Sequence, residues 1–202
     1  MGNNRTNIVV LASGSGSNAE NIIKYSRTPE CSYNVVSVMC NKPDAYVLTR
    51  ALNLKTPSVT FTSKELKEDV LTADGVTTSF TKYLKENKIE YIILAGFLLK
   101  IPQYLIDQYR GKILNIHPAL LPNYGGKGMY GEHVHQAVIA AKEKKSGITI
   151  HIADEHYDHG STIYQGECDI TPEDTPETLA GKIHQLEAIY PSVIDNYIKE
   201  GK

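Results

Sequence analysis

A chain of 202 residues is long enough to bury a real core and fits one domain, read here as 1–202. With 21 basic and 23 acidic residues and a formal net charge of −2, it lacks the basic field that a nucleic-acid surface needs. Three widely spaced cysteines, Cys31, Cys40 and Cys168, fit neither a disulfide framework nor a zinc pattern, so a reducing cytoplasm is the expected setting.

The N-terminus runs into an apolar stretch, 8–12, within the short run 7–12 and too short for a signal segment or a membrane span. Its β-branched residues predict a buried strand feeding a glycine turn, and 18–25 follows as a helix with Ile22 and Ile23 on its apolar face. The pattern continues with a strand at 34–40, a helix at 45–54 and a short strand at 58–61. A charged stretch, 63–74, is expected to be a surface segment, and 75–87 a helix. The apolar run 91–95 and the segment 111–116 are strands, and 130–142 is a helix. Two last strands, 148–153 and 162–170, precede one long helix over 175–198, whose Thr175-Pro176-Glu177 start supplies a cap, a proline in the first turn and an early acid. Strands alternating with helices imply an α/β fold, a doubly wound, mostly parallel sheet with helices on both faces. Ligands of such folds sit beyond the carboxyl ends of the strands.

Three segments carry candidate chemistry. Ser13-Gly14-Ser15-Gly16-Ser17-Asn18 lies between a strand and a helix, where glycines permit a tight turn and free amides attract a phosphate. Ala19 stands where a dinucleotide fingerprint would place its third glycine, and the P-loop lysine is absent, so a phosphate monoester fits better than a dinucleotide. Asn115 and His117, two apart at a strand end, share one face, and an amide donor beside an imidazole suits a developing oxyanion. The loop Asp154-Glu155-His156-Tyr157-Asp158-His159-Gly160 follows a strand and can bring a carboxylate to His117; composition does not choose among its three acids. The glycine-rich 124–131 loop can close over a substrate, with Lys127 meeting an anion. No metal is expected: His133 and His135 on a helix point in different directions, and His156 and His159 sit in a loop with no cysteine nearby.

Together these segments resemble the formyltransferase family that uses 10-formyltetrahydrofolate. The likeness rests on Asn115-Ile116-His117-Pro118-Ala119-Leu120-Leu121-Pro122, followed beyond a strand by Asp158-His159-Gly160, and runs over about residues 7–191. Three further features point to members acting on glycinamide ribonucleotide. These are the 13–18 loop directly after the first strand, the segment Leu94-Ala95-Gly96-Phe97, similar to part of a folate pocket, and a length without room for the extra domains of the tRNA-formylating and deformylating members.

The resemblance implies an enzyme of purine synthesis that formylates the amine of glycinamide ribonucleotide, with 10-formyltetrahydrofolate as co-substrate and no metal. It places Asn115, His117 and Asp158 at catalytic positions and Gly16, Ser17 and Asn18 on the substrate phosphate. Phe97, Leu98, Leu99, Lys100 and Ile101, with Asn115, Asp154 and Asp158, would surround the folate, and Glu187 corresponds to a substrate-binding glutamate. The family shows Glu-His, two residues, then an aromatic and proline; here Glu187-Ala188-Ile189-Tyr190-Pro191 is one residue shorter. An N-terminal phosphate-binding half, about 7–100, and a C-terminal catalytic and folate half, about 101–199, are expected. The expected mechanism is direct attack of the amine on the formyl carbon, with Asn115 and a protonated His117 on the oxyanion and Asp158 favouring that protonation. The partners are these two small molecules, without nucleic acid or membrane, in a monomer or homodimer. A formyltetrahydrofolate deformylase, a formyltransferase for another amine and a non-catalytic nucleotide-binding module are the alternatives.

Overall fold

The computed structural model describes residues 5–67, 70–71, 77–78 and 80–201. Its first half contains β1 Thr6–Ala12, α1 Ser17–Tyr25, β2 Tyr33–Cys40, α2 Tyr46–Asn53, β3 Ser58–Thr60, α3 Ser63–Lys67, β4 Val70–Leu71, β5 Thr77–Thr78, α4 Phe80–Glu86 and β6 Tyr91–Leu94. The second half contains α5 Gln103–Gln108, β7 Ile113–His117, α6 Glu132–Ala140, β8 Lys145–Ile152, β9 Thr162–Asp169, α7 Pro176–Leu186, a 3-10 turn Glu187–Ile189 and α8 Tyr190–Lys199.

Seven strands form one sheet in the order β3-β2-β1-β6-β7-β8-β9. The first five are mutually parallel, β8 pairs antiparallel with β7, and β9 pairs antiparallel with β8. The expected mostly parallel α/β sheet is therefore present, with an antiparallel edge. Alternation along each strand builds two apolar layers. Ile8, Val10 and Ala12 of β1, with Tyr91 and Ile93 of β6, pack on the layer that holds α1, α2, α6, α7 and α8. Val9, Leu11, Ile92 and Leu94 face the other layer with Leu66, Leu84 and Leu105. Each fully buried Val, Ile or Leu side chain contributes about 1.5–3 kcal/mol, so a core of this size readily fixes the register. On β7 the same alternation sends Leu114 and Ile116 to the first layer and leaves Ile113, Asn115 and His117 on the opposite face.

Several expected elements differ. The helix expected from residue 75 begins at Phe80, and Thr77–Thr78 pairs antiparallel with Val70–Leu71; residues 72–76 and 79 lie outside the described residues. In the charged 63–74 stretch, α3 forms because Leu66 is fully buried against the second layer. Helix α5 escaped the sequence reading because it is only six residues long; Leu105 and Ile106 anchor it. The long last helix is two helices. Thr175 caps α7 as expected, accepting from the Thr178 amide at 3.3 Å, but the chain tightens into the 3-10 turn before Tyr190 and Pro191 start α8. That turn falls on the segment one residue shorter than the family pattern. Among the described residues no helix is long and apolar enough to cross a membrane.

Candidate active site

Strand order reverses at β1, whose two neighbours are β2 and β6. In open α/β sheets a crevice forms at such a point, outside the strand carboxyl ends. Here the loops after β1, β6 and β7 converge with the 126–131 loop, the 153–158 loop and α7 on a cavity of about 870 Å³.

The loop after β1 is shaped by Gly16, whose φ is 78° and whose missing side chain makes room for Val47. A methyl group there would collide with Val47, and the left-handed backbone disfavours any L side chain. The loop is bound on both sides. The Val47 amide donates to the Gly14 carbonyl at 3.1 Å, and Arg50 Nε donates to the Ser15 carbonyl at 2.9 Å. Arg50 also pairs with Glu20. Helix α1 starts at Ser17 with its first amides free of intrahelical partners, and Gly16, Ser17 and Asn18 all line the cavity. Among the described residues the buried Asn18 Oδ1 has no hydrogen-bond partner. A helix N-terminus whose open amides border a cavity is suited to an anion.

Asn115 and His117 stand at the end of β7, with β8 beside them. Asn115 lies opposite His151 in the β7–β8 pairing, so the two side chains share a face. Asn115 Nδ2 is 3.0 Å from His151 Nε2 and donates at 3.4 Å to Asp158 Oδ1. His151 Nδ1 sits 3.1 Å from the Ile152 carbonyl, so a ring protonated at Nδ1 satisfies both contacts. His117 Nε2 sits 2.7 Å from the Tyr124 carbonyl, which places a hydrogen on Nε2 and turns Nδ1 toward Asp158 Oδ2, 3.6 Å away. Asp158 accepts from the Gly126 amide at 2.9 Å and takes a left-handed φ of 58°. The loop carrying it returns close over β8, where Gly160 rides against the Ile152 carbonyl with no room for a side chain. Of the three acids left open by composition, Asp158 is the one this loop brings to His117.

Burial pushes the His117 pKa below the usual imidazole value; the Asp158 charge and the Tyr124 carbonyl oppose that shift without overcoming it. Asp158 thus acts toward the protonated ring, the direction expected of it, while burial acts more strongly the other way. Burial acts to raise the Asp158 pKa, but His151, the nearby His117 ring and the Gly126 amide outweigh it and hold the carboxyl below its ordinary range. Asp158 is thus ionised, and His117 is a base whose conjugate acid would face a carboxylate.

Phe97, Leu98, Leu99, Lys100 and Ile101 line the same cavity, as do Asp154, Lys127 and Glu187. Glu187 Oε2 lies 3.3 Å from His184 Nδ1. His133 packs edge-on against Tyr130, whereas His135 is buried, lines the cavity and has no partner for Nδ1 among the described residues. Among the described residues, one group has three potential metal ligands within 4.8 Å, Asp154, Glu155 and His156; it includes neither His133 nor His135. Sequence reasoning missed His151 and His184. His151 had a signal: a titratable residue in the middle of an apolar strand, on the face that Thr149 shares and Ile148 and Ile150 avoid. His184 had only its place near Glu187.

Fold and site together define a doubly wound α/β protein with a glycine loop opening a helix and an amide–imidazole–carboxylate group in one crevice. The chain belongs to the formyl transferase family, whose model matches residues 6–194. It is 36% identical over 186 residues to the phosphoribosylglycinamide formyltransferase of Bacillus subtilis, covering 92% of this chain and 91% of that protein. It is 35% identical to the chloroplastic phosphoribosylglycinamide formyltransferase of Arabidopsis thaliana over 97% of this chain, but spans only 66% of that relative's length, just under two thirds. The crystal structure of phosphoribosylglycinamide formyltransferase from Bacillus halodurans superposes with a TM-score of 0.83 at 32% identity, covering 98% of this chain and 97% of that one.

Proposed function

We propose that this chain transfers the formyl group of 10-formyltetrahydrofolate to the amine of glycinamide ribonucleotide, a step of purine synthesis. The observation that carries the reading is one cavity lined both by the open N-terminus of α1 and by Asn115, His117 and Asp158. The names of the relatives supply the particular substrate. In this reading Gly16, Ser17 and Asn18 hold the substrate phosphate, which positions the distant amine and lowers the entropic cost of its attack. Glu187 binds the ribonucleotide from α7's end of the cavity. Phe97 to Ile101, Asp154 and Asp158 enclose the folate. Residues up to about 100 thus serve mainly the phosphate and those beyond it the chemistry, in the cytoplasm.

The amine nitrogen attacks the formyl carbon, forming a carbon–nitrogen bond and an oxyanion. Asn115 Nδ2 turns to this oxygen; its 3.4 Å bond to Asp158 is the longer of its two and the one given up. The amine's proton passes to Nδ1 of neutral His117, and the resulting imidazolium is stabilised by Asp158 and faces the oxyanion. The oxyanion then collapses, the bond from the formyl carbon to the folate nitrogen breaks, and that nitrogen takes the proton from His117. No covalent enzyme intermediate is required, because the amine is itself the acceptor.

The test is formyl transfer by purified protein with 10-formyltetrahydrofolate, with and without glycinamide ribonucleotide. Tetrahydrofolate appearing only with the ribonucleotide is the expected result. Equal release without it would mean a deformylase, and no turnover in either would refute the assignment.

A further inference from the structure

Tyr124, Gly125 and Gly126 touch both titratable groups of the site from one short backbone segment. The Tyr124 carbonyl holds His117 Nε2 at 2.7 Å, and two residues on the Gly126 amide holds Asp158 Oδ2 at 2.9 Å. Between them, a Cβ added at Gly125 would stand 2.6 Å from Leu121 Cδ2 and 3.1 Å from Asp158 Cβ, so the segment is pressed against the carboxylate's own stem. The 3.6 Å separation of His117 Nδ1 and Asp158 Oδ2 is thus spanned by three residues. Tyr124 takes a φ of 57°, a left-handed backbone that a bulky side chain holds only when its surroundings impose it. Its hydroxyl adds a constraint from the surface, donating at 2.7 Å to Oε1 of the exposed Glu143 in the connection between α6 and β8. Neither Tyr124 nor Glu143 lines the cavity.

We propose that the Tyr124–Glu143 hydrogen bond is a tether outside the cavity that fixes the Tyr124 carbonyl, and through it the tautomer and orientation of His117 relative to Asp158. Both are positioning residues. Reactive groups must be held to within about 0.5 Å of productive geometry, and a carbonyl on a glycine-flanked loop is not so held by its own backbone. The tether offers that rigidity without occupying substrate space. Its catalytic consequence rests on the role proposed for His117, while its structural consequence does not.

The experiment compares Tyr124→Phe, Glu143→Ala and Glu143→Gln in the full chain by steady-state kinetics and by ¹⁵N NMR of the His117 ring across pH. Tyr124→Phe and Glu143→Ala are each expected to lower kcat about fivefold, the size of one lost hydrogen bond, with KM little changed. Both should convert His117 from a ring protonated at Nε2 to a mixture of tautomers and displace its titration. The double variant should be no worse than either single one, and Glu143→Gln, which keeps an acceptor oxygen, should behave as the parent. Parental kcat and a parental His117 spectrum in both Tyr124→Phe and Glu143→Ala would overturn the tether. A lowered kcat with an unchanged ring spectrum would overturn it too, because the loss would then be merely structural. If His117→Ala keeps full turnover, the catalytic reading fails, and the ring spectrum of Tyr124→Phe still decides the tether.

Discussion

Replacing Asn115 by alanine removes the donor assigned to the oxyanion and disturbs its neighbours by a calculable amount. Loss of a preorganised oxyanion donor costs about 10²–10³ in turnover, or about 2.7–4 kcal/mol of barrier. The same truncation leaves His151 Nε2, 3.0 Å from the vanished amide in a side chain 2% exposed, without its donor. An orphaned buried acceptor costs about 1–3 kcal/mol of stability. For a domain of this size each kcal/mol lowers Tm by about 2–4 °C, so a drop of roughly 2–12 °C is expected without loss of the fold. The assay is formyl transfer at saturating concentrations of both substrates, beside thermal unfolding. Both kcat and kcat/KM should fall by the same factor, because the amide acts in the transition state. A folded variant whose kcat stays within tenfold of the parent would refute the role. A raised KM with intact kcat would show that Asn115 only binds the ground state.

Other outcomes follow from the same geometry. In Asp158→Asn, His117 loses the charge that opposes its burial, so its NMR titration should move further below the usual imidazole value; an upward move would refute the electrostatic account. In the parent, the folded state takes up its His117 proton only at lower pH than the unfolded chain. The stability this contributes is therefore present above about pH 6.5 and lost as pH falls from there through the folded pKa, readable in a His117→Gln comparison of unfolding at several pH values. Gly16→Ala forces a side chain into a left-handed backbone against Val47; a stability loss of at least about 1–3 kcal/mol is expected, and in whatever folds, a KM for the ribonucleotide raised more than that for the folate. Gly160→Ala drives a methyl into the Ile152 carbonyl and should lift the loop that carries Asp158, lowering kcat about as far as Asp158→Ala does; a parental kcat would show that the loop has a second stable path.

Much of this site was written locally. Asn115 and His117 occupy alternate positions of one strand, and a period of two places them on one face in any sheet that buries Leu114 and Ile116. The glycine turn between β1 and α1 was likewise legible from its own residues, a strand, a left-handed glycine and a helix start, although Val47 and Arg50 hold it from α2. The short elements were not legible in this way. Leu66, Leu105 and Ile106 fix α3 and α5 by tertiary burial, because five or six residues cannot nucleate a helix alone. The break at Glu187 equally arises where α7 and α8 pack separately.

Which groups meet was decided by the tertiary structure. Asp154, Glu155 and Asp158 are equivalent in composition, and only the return of their loop over β8 brings Asp158, with the Gly126 amide, to His117. His151 joins Asn115 because β8 runs antiparallel to β7 in a particular register, and register is a property of two strands. The lowered pKa of His117 comes from burial by segments far apart in sequence. Local sequence determined the elements and the faces of the side chains, whose periodicities belong to the backbone itself; strand order, register and desolvation required the assembled fold, because each is an interaction between segments that the chain separates.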